Sequence, residues 1–138
     1  MLDKFNAVAG LILDGALREF PMPAVLDTQG IVRTLPDEWR TPNAQAGPVY
    51  GDVHRDDVEY VRMVNEWLRE EGFLRDKRSN LSNTRSVLTS KGISGLNAAP
   101  NWMDDSESLG TRLSKAVANR SWQLVAGVIP AVIGASIN

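Results

Sequence analysis

Apolar and polar positions alternate along the chain with a clear helical period in two places. In residues 2–20, Phe5, Val8, Ile12 and Ala16 recur at helical spacing beside Leu13, Leu17 and Phe20, while Asp3, Asp14 and Arg18 fall elsewhere. This predicts an amphipathic helix that Pro21 and Pro23 stop. Gly10 and Gly15 each weaken it by about 1 kcal/mol against alanine, so tertiary packing must hold it. Asp27 can cap a short helix over 28–35, and the Pro- and Gly-rich stretch 36–52 reads as loop with Trp39 pinned on the core. Residues 54–71 give the clearest pattern, with Tyr60, Val61, Val64, Trp67 and Leu68 on one stripe. Opposite it stand Arg55, Glu59, Arg62, Glu66 and Arg69, alternating in sign, and Gly72 supplies the stop.

Two short strands follow at 73–78 and 85–90, joined by the Ser- and Asn-rich segment 79–84. Thr89 or Ser90 can cap a helix near 91–98. Residues 99–108 read as a linker, and Ser106 or Ser108 can cap a last helix over 109–128. The expected class is mainly α with a small β-hairpin (α+β). Its expected organisation is a folded unit at 1–98, the linker, and a C-terminal apolar helix within 109–138.

Composition narrows the chemistry. At 138 residues the chain has about the length of one domain, and 43% apolar with 23% charged residues is the make-up of a folded protein. With no cysteine, disulfide scaffolds, thiolate metal sites and cysteine nucleophiles are excluded. The net charge of −2 hides an asymmetry: residues 1–60 sum to −5 and residues 61–138 to +3. The only histidine, His54, clusters with Asp52, Asp56 and Asp57. As a metal set this lacks a second histidine. The alternative has Asp52 or His54 at a helix cap and the other carboxylates on first-turn amides. No nucleophile elbow, phosphate-binding glycine loop or zinc spacing occurs, so a non-enzyme without cofactor or metal is expected. Charges near the N-terminus interrupt any signal-peptide core, and a cytoplasmic location is expected.

The runs Trp67-Leu68-Arg69-Glu70-Glu71-Gly72-Phe73-Leu74, Asp76-Lys77-Arg78 and Val87-Leu88-Thr89-Ser90-Lys91-Gly92 form a further pattern. In it a helix ends at glycine, a basic hairpin follows, and Leu-Thr hands the chain to the next helix. On these residues the stretch Val58–Leu96 resembles the winged helix-turn-helix proteins, in particular MarR-like and PadR-like regulators. The resemblance implies a winged helix-turn-helix plus a C-terminal helix, and a transcription regulator that binds double-stranded DNA as a dimer.

Candidate phosphate contacts are Arg75, Lys77, Arg78 and Arg85 on the hairpin, with Arg62 and Arg69 on the preceding helix. Glu59 and Glu66 oppose that reading, because carboxylates at a groove repel phosphates. A protein-interaction adaptor on the same scaffold is the alternative. Residues 121–138 carry no charged side chain. Trp122, Val125, Ile129, Val132 and Ile133 there are candidate contacts for a homo-oligomer. Peripheral membrane contact is the competing use, since Arg112, Lys115 and Arg120 precede Trp122.

Overall fold

The computed structural model describes residues 2–42, 49–50, 52–76, 84–99 and 107–136. Helix α1 (Leu2–Glu19) leads into strand β1 (Ala24–Val25) and helix α2 (Thr28–Thr34). A 3₁₀ turn (Asp37–Trp39) and a small hairpin of β2 (Val49–Tyr50) and β3 (Val53–His54) precede α3 (Arg55–Glu70). Then come β4 (Leu74–Asp76), β5 (Arg85–Leu88), α4 (Ser90–Asn97), α5 (Leu109–Ala118) and α6 (Trp122–Ser136). The described chain is therefore mainly helical, with a three-stranded antiparallel sheet ordered β1-β5-β4. This is the α+β class expected. Strands β1, β2 and β3 escape sequence reading because two residues carry no period.

Local chemistry accounts for the element ends. Asp27 accepts from the Gly30 amide, Thr89 from Gly92 and Ser108 from Thr111, each satisfying a first-turn donor. His54 caps α3, its Nδ1 accepting from the Asp56 amide at 3.1 Å. At the other end of α3, Gly72 takes φ +87°. The Phe73 amide bonds the Leu68 carbonyl and the Gly72 amide that of Arg69, a Schellman closure that turns Phe73 into the core. The Thr89 hydroxyl donates to the Gly72 carbonyl, and the Thr89 amide donates to that of Phe73. A Cβ on Gly92 would stand 2.4 Å from the Phe73 carbonyl oxygen. The glycine, Leu-Thr and second glycine of the sequence pattern thus form one interlocked unit joining the end of α3 to the start of α4.

Helix α1 is buried on more than one side, because α3 and β5 meet it along one flank and α5 and α6 along another. Asp14, expected to face away from the apolar stripe, is buried and accepts from Ser114 Oγ of α5 at 2.6 Å and from Arg18 at 2.8 Å. A Cβ on Gly10 would lie 2.6 Å from Val125 Cγ1 and 3.2 Å from Leu113 Cδ1, so glycine lets α6 approach α1 closely.

Two expectations for the C-terminal region need correction. The single helix over 109–128 is two helices, and the second runs through Pro130 to Ser136. Arg120 breaks it by taking φ +53°. There the Ser121 amide bonds the Ala116 carbonyl and the Arg120 amide that of Val117, the same closure as at Gly72 but without glycine to announce it. The second correction concerns Val125, Ile129 and Val132, offered as contacts for another copy or a membrane. They are fully buried in the chain's own core, which joins α1, α3, the sheet, α5 and α6 in one cluster. Spaced at i, i+4 and i+7, they form the stripe that docks on the other helices.

Candidate functional site

The sheet register decides which hairpin side chains can act together. Arg75 pairs with Val87, two residues from Arg85, and Arg85 pairs with Val25. Because strand side chains alternate, Arg75, Val87 and Arg85 share one face of the sheet, on which Val87 is buried, while Leu74, Ser86 and Leu88 share the other. Arg75 is exposed. Arg85 is half-buried, and its Nε is buried without a hydrogen-bond partner. Lys77 and Arg78, the other two hairpin candidates, lie outside the described residues.

The candidates on α3 are otherwise engaged. Arg62 Nη1 meets Glu59 at 2.8 Å, and Arg69 lies 3.2 Å from both Glu66 and Asp76. Arg69 therefore ties α3 to β4. The exposed positions of α3 are Arg55, Asp56, Glu59, Arg62, Met63, Glu66 and Glu70, a net −2. Met63, not singled out from the sequence, is 70% exposed on that face. Helical spacing sets it with Glu59, Glu66 and Glu70, which is the signal that could have found it.

Two of the three carboxylates around His54, Asp57 and Asp52, are committed. Asp57 is buried, accepting from the Thr41 amide at 2.7 Å, from Thr41 Oγ1 at 2.9 Å and from Lys4 at 3.4 Å. Asp52 pairs with Arg33 at 2.9 Å, and that guanidinium hydrogen bond, helped by a backbone bond, holds its carboxyl below the usual range. Among the described residues no group of three or more potential ligands gathers to hold a metal ion. Lys4 also lies over the Tyr60 ring at 4.3 Å, and burial pushes the Tyr60 phenol up.

No protein-family model, curated protein or solved structure matches the chain. The comparisons therefore leave the residues themselves as the basis for any reading.

Of the two remaining C-terminal candidates, Trp122 is half-buried in an edge contact with Trp39, ring centroids 6.4 Å apart. This pins the 3₁₀ turn onto the core, as expected for Trp39. Ile133 is also half-buried against the core. The outward side of α6 instead carries Leu124, 62% exposed, with Gln123, Gly127 and Pro130. Among the described residues no helix is long and apolar enough to cross a membrane.

Proposed function

We propose that the chain is a non-catalytic winged-helix module that contacts double-stranded DNA through its hairpin, in the manner of a transcription regulator. The supporting observation is the order α1-β1-α2-α3-β4-β5, with the 3₁₀ turn and the small β2–β3 hairpin inserted between α2 and α3 and with β5 between β1 and β4, which sets the β4–β5 hairpin beside α3. Arg75, exposed, and Arg85, half-buried, share one face of that hairpin, and Lys77 and Arg78 follow β4 in sequence. Each can meet a phosphate, which gives affinity with little base discrimination. Helix α3 is a poor groove reader on this account, because its exposed charge is negative and Arg62 and Arg69 are held by Glu59 and Glu66.

Anisotropy of a labelled mixed-sequence duplex, titrated at several salt concentrations, tests the reading. Four hairpin phosphate contacts predict a log-log salt slope of about −3 to −4. Arg75→Ala with Arg85→Ala should weaken binding alike on all sequences and flatten the slope by about 2. Glu59→Gln with Glu66→Gln should strengthen it. Absence of binding by the unaltered chain at low salt refutes the DNA reading. The acidic outward face of α3 with Met63 at its centre supports a second reading, in which the same scaffold is a protein-interaction adaptor.

A further inference from the structure

A cavity of about 670 Å³ opens between the start of α1, the 3₁₀ turn and the start of α6. Two indoles, Trp39 and Trp122, line it, inclined at 63° with ring centroids 6.4 Å apart. Both are half-buried, so each keeps part of its surface open. An edge contact of this kind takes up one face of one ring and leaves the faces of the other free of it. The Asp3 and Glu38 carboxylates line the same cavity, and both residues are exposed. Among the described residues neither carboxylate is in an ion pair. The basic side chains nearest to them in sequence are engaged elsewhere: Lys4 with Asp57 and the Tyr60 ring, and Arg40 with Asp37. Among the described residues no basic side chain lines the cavity. The first turn of α6 adds about half a positive charge to its rim, which two carboxylates outweigh. Open indole surface and uncompensated negative charge together favour a cation.

We propose that this cavity takes an arginine side chain presented by a partner polypeptide. Tryptophan is the best aromatic partner for a cation. A guanidinium is planar and more weakly hydrated than an ammonium, so it stacks on an indole while its N–H groups reach a carboxylate. The volume lies in the range of ligand pockets and exceeds what one side chain fills, so residues flanking the arginine enter with it. Ser121 and Gln123 line the same cavity and can hydrogen-bond the backbone of such a segment. No residue of the β4–β5 hairpin lines the cavity, so its occupancy is independent of DNA binding.

The probes are a blocked glycine-arginine-glycine peptide, its lysine and citrulline counterparts, and ethylguanidinium. Each is titrated into the full chain by calorimetry and by two-dimensional NMR of the indole N–H groups. The arginine peptide should bind saturably with a Kd of about 1 mM or below, moving the indole signals of Trp39 and Trp122. The citrulline peptide, its neutral isostere, should bind at least about tenfold more weakly, and the lysine peptide about threefold more weakly. Asp3→Asn with Glu38→Gln, both at exposed positions, should weaken the arginine peptide about tenfold, and Gln123→Glu should tighten it about threefold, with circular dichroism unchanged in each. Equal affinity for the arginine and citrulline peptides, or unchanged affinity in the double carboxamide variant, would overturn recognition of the cation. Ethylguanidinium binding as tightly as the arginine peptide would overturn the polypeptide partner in favour of a free guanidinium compound. Indole signals unmoved by every probe up to about 20 mM would overturn the site and leave Asp3 and Glu38 as ordinary surface charges.

Discussion

Replacing each of two glycines of α1 by alanine is expected to change stability in opposite directions. Both Gly10→Ala and Gly15→Ala gain about 1 kcal/mol of helix propensity, because glycine loses more backbone freedom on folding. At Gly15 the new methyl enters open space, so that gain stands. At Gly10 it arrives 2.6 Å from Val125 Cγ1. Val125 is wholly buried, and its β-branched side chain on a helix has one strongly preferred rotamer, so it cannot swing aside. Overpacking of this kind costs about 1–3 kcal/mol. The propensity gain is common to both variants, so the difference between them measures the overpacking alone. For a chain of this size that corresponds to roughly 3–10 °C in Tm. Urea unfolding followed by circular dichroism measures it, with unchanged m-values required for the comparison. Val125→Ala, which alone removes two buried methyl groups at about 0.8 kcal/mol each, should be less harmful in the Gly10→Ala background. Equal stabilisation by both glycine replacements, or strict additivity with Val125→Ala, would refute the docking of α6 on α1.

Arg120→Gly should stabilise the chain by about 1 kcal/mol, because the turn between α5 and α6 holds a side chain at φ +53° that glycine adopts without penalty; an unchanged urea midpoint would count against that turn. Asp14→Ala should cost about 2–3 kcal/mol by the same assay, since it strips a buried carboxylate from Ser114 and Arg18; a loss below about 0.5 kcal/mol, the spread of ordinary surface changes, would deny the contact. Arg33→Ala should raise the Asp52 titration midpoint toward that of an ordinary aspartate, followed by carboxyl-carbon NMR shifts. The sign follows from a folded-state pKa that lies below the unfolded one: the Asp52 pairing stabilises at neutral pH, and the contribution is lost as pH falls through the folded value. An unmoved midpoint would show that Arg33 is not its cause.

Much of this architecture is legible along the chain, because caps and glycine stops are local. Asp27, Thr89, Ser108 and Gly72 act on amides and carbonyls within a few residues, so their spacing predicts α2, α4, α5 and the end of α3. The amphipathic stripe of α3 is equally local. Arg120 shows where such reading stops: the left-handed turn there is held by bonds to Ala116 and Val117, and nothing in an arginine signals it.

The candidate site divides the same way. The basic character of residues 75–85 is a property of composition, but the shared face of Arg75 and Arg85 depends on strand register. The engagement of Arg62 and Arg69 by neighbouring carboxylates depends on rotamers and on the position of β4. An apolar stripe specifies that a helix must be covered without specifying by what. The sequence alone therefore determined α1 to α4, the β4–β5 hairpin, the Asp27 cap and an uncharged C-terminal segment. Only the tertiary structure decided that α6 is covered by α1 through the gap at Gly10, and that the buried Asp14 of α1 meets Ser114 of α5. The reason is physical: both depend on shape complementarity between segments far apart in the chain, which periodicity and charge do not encode.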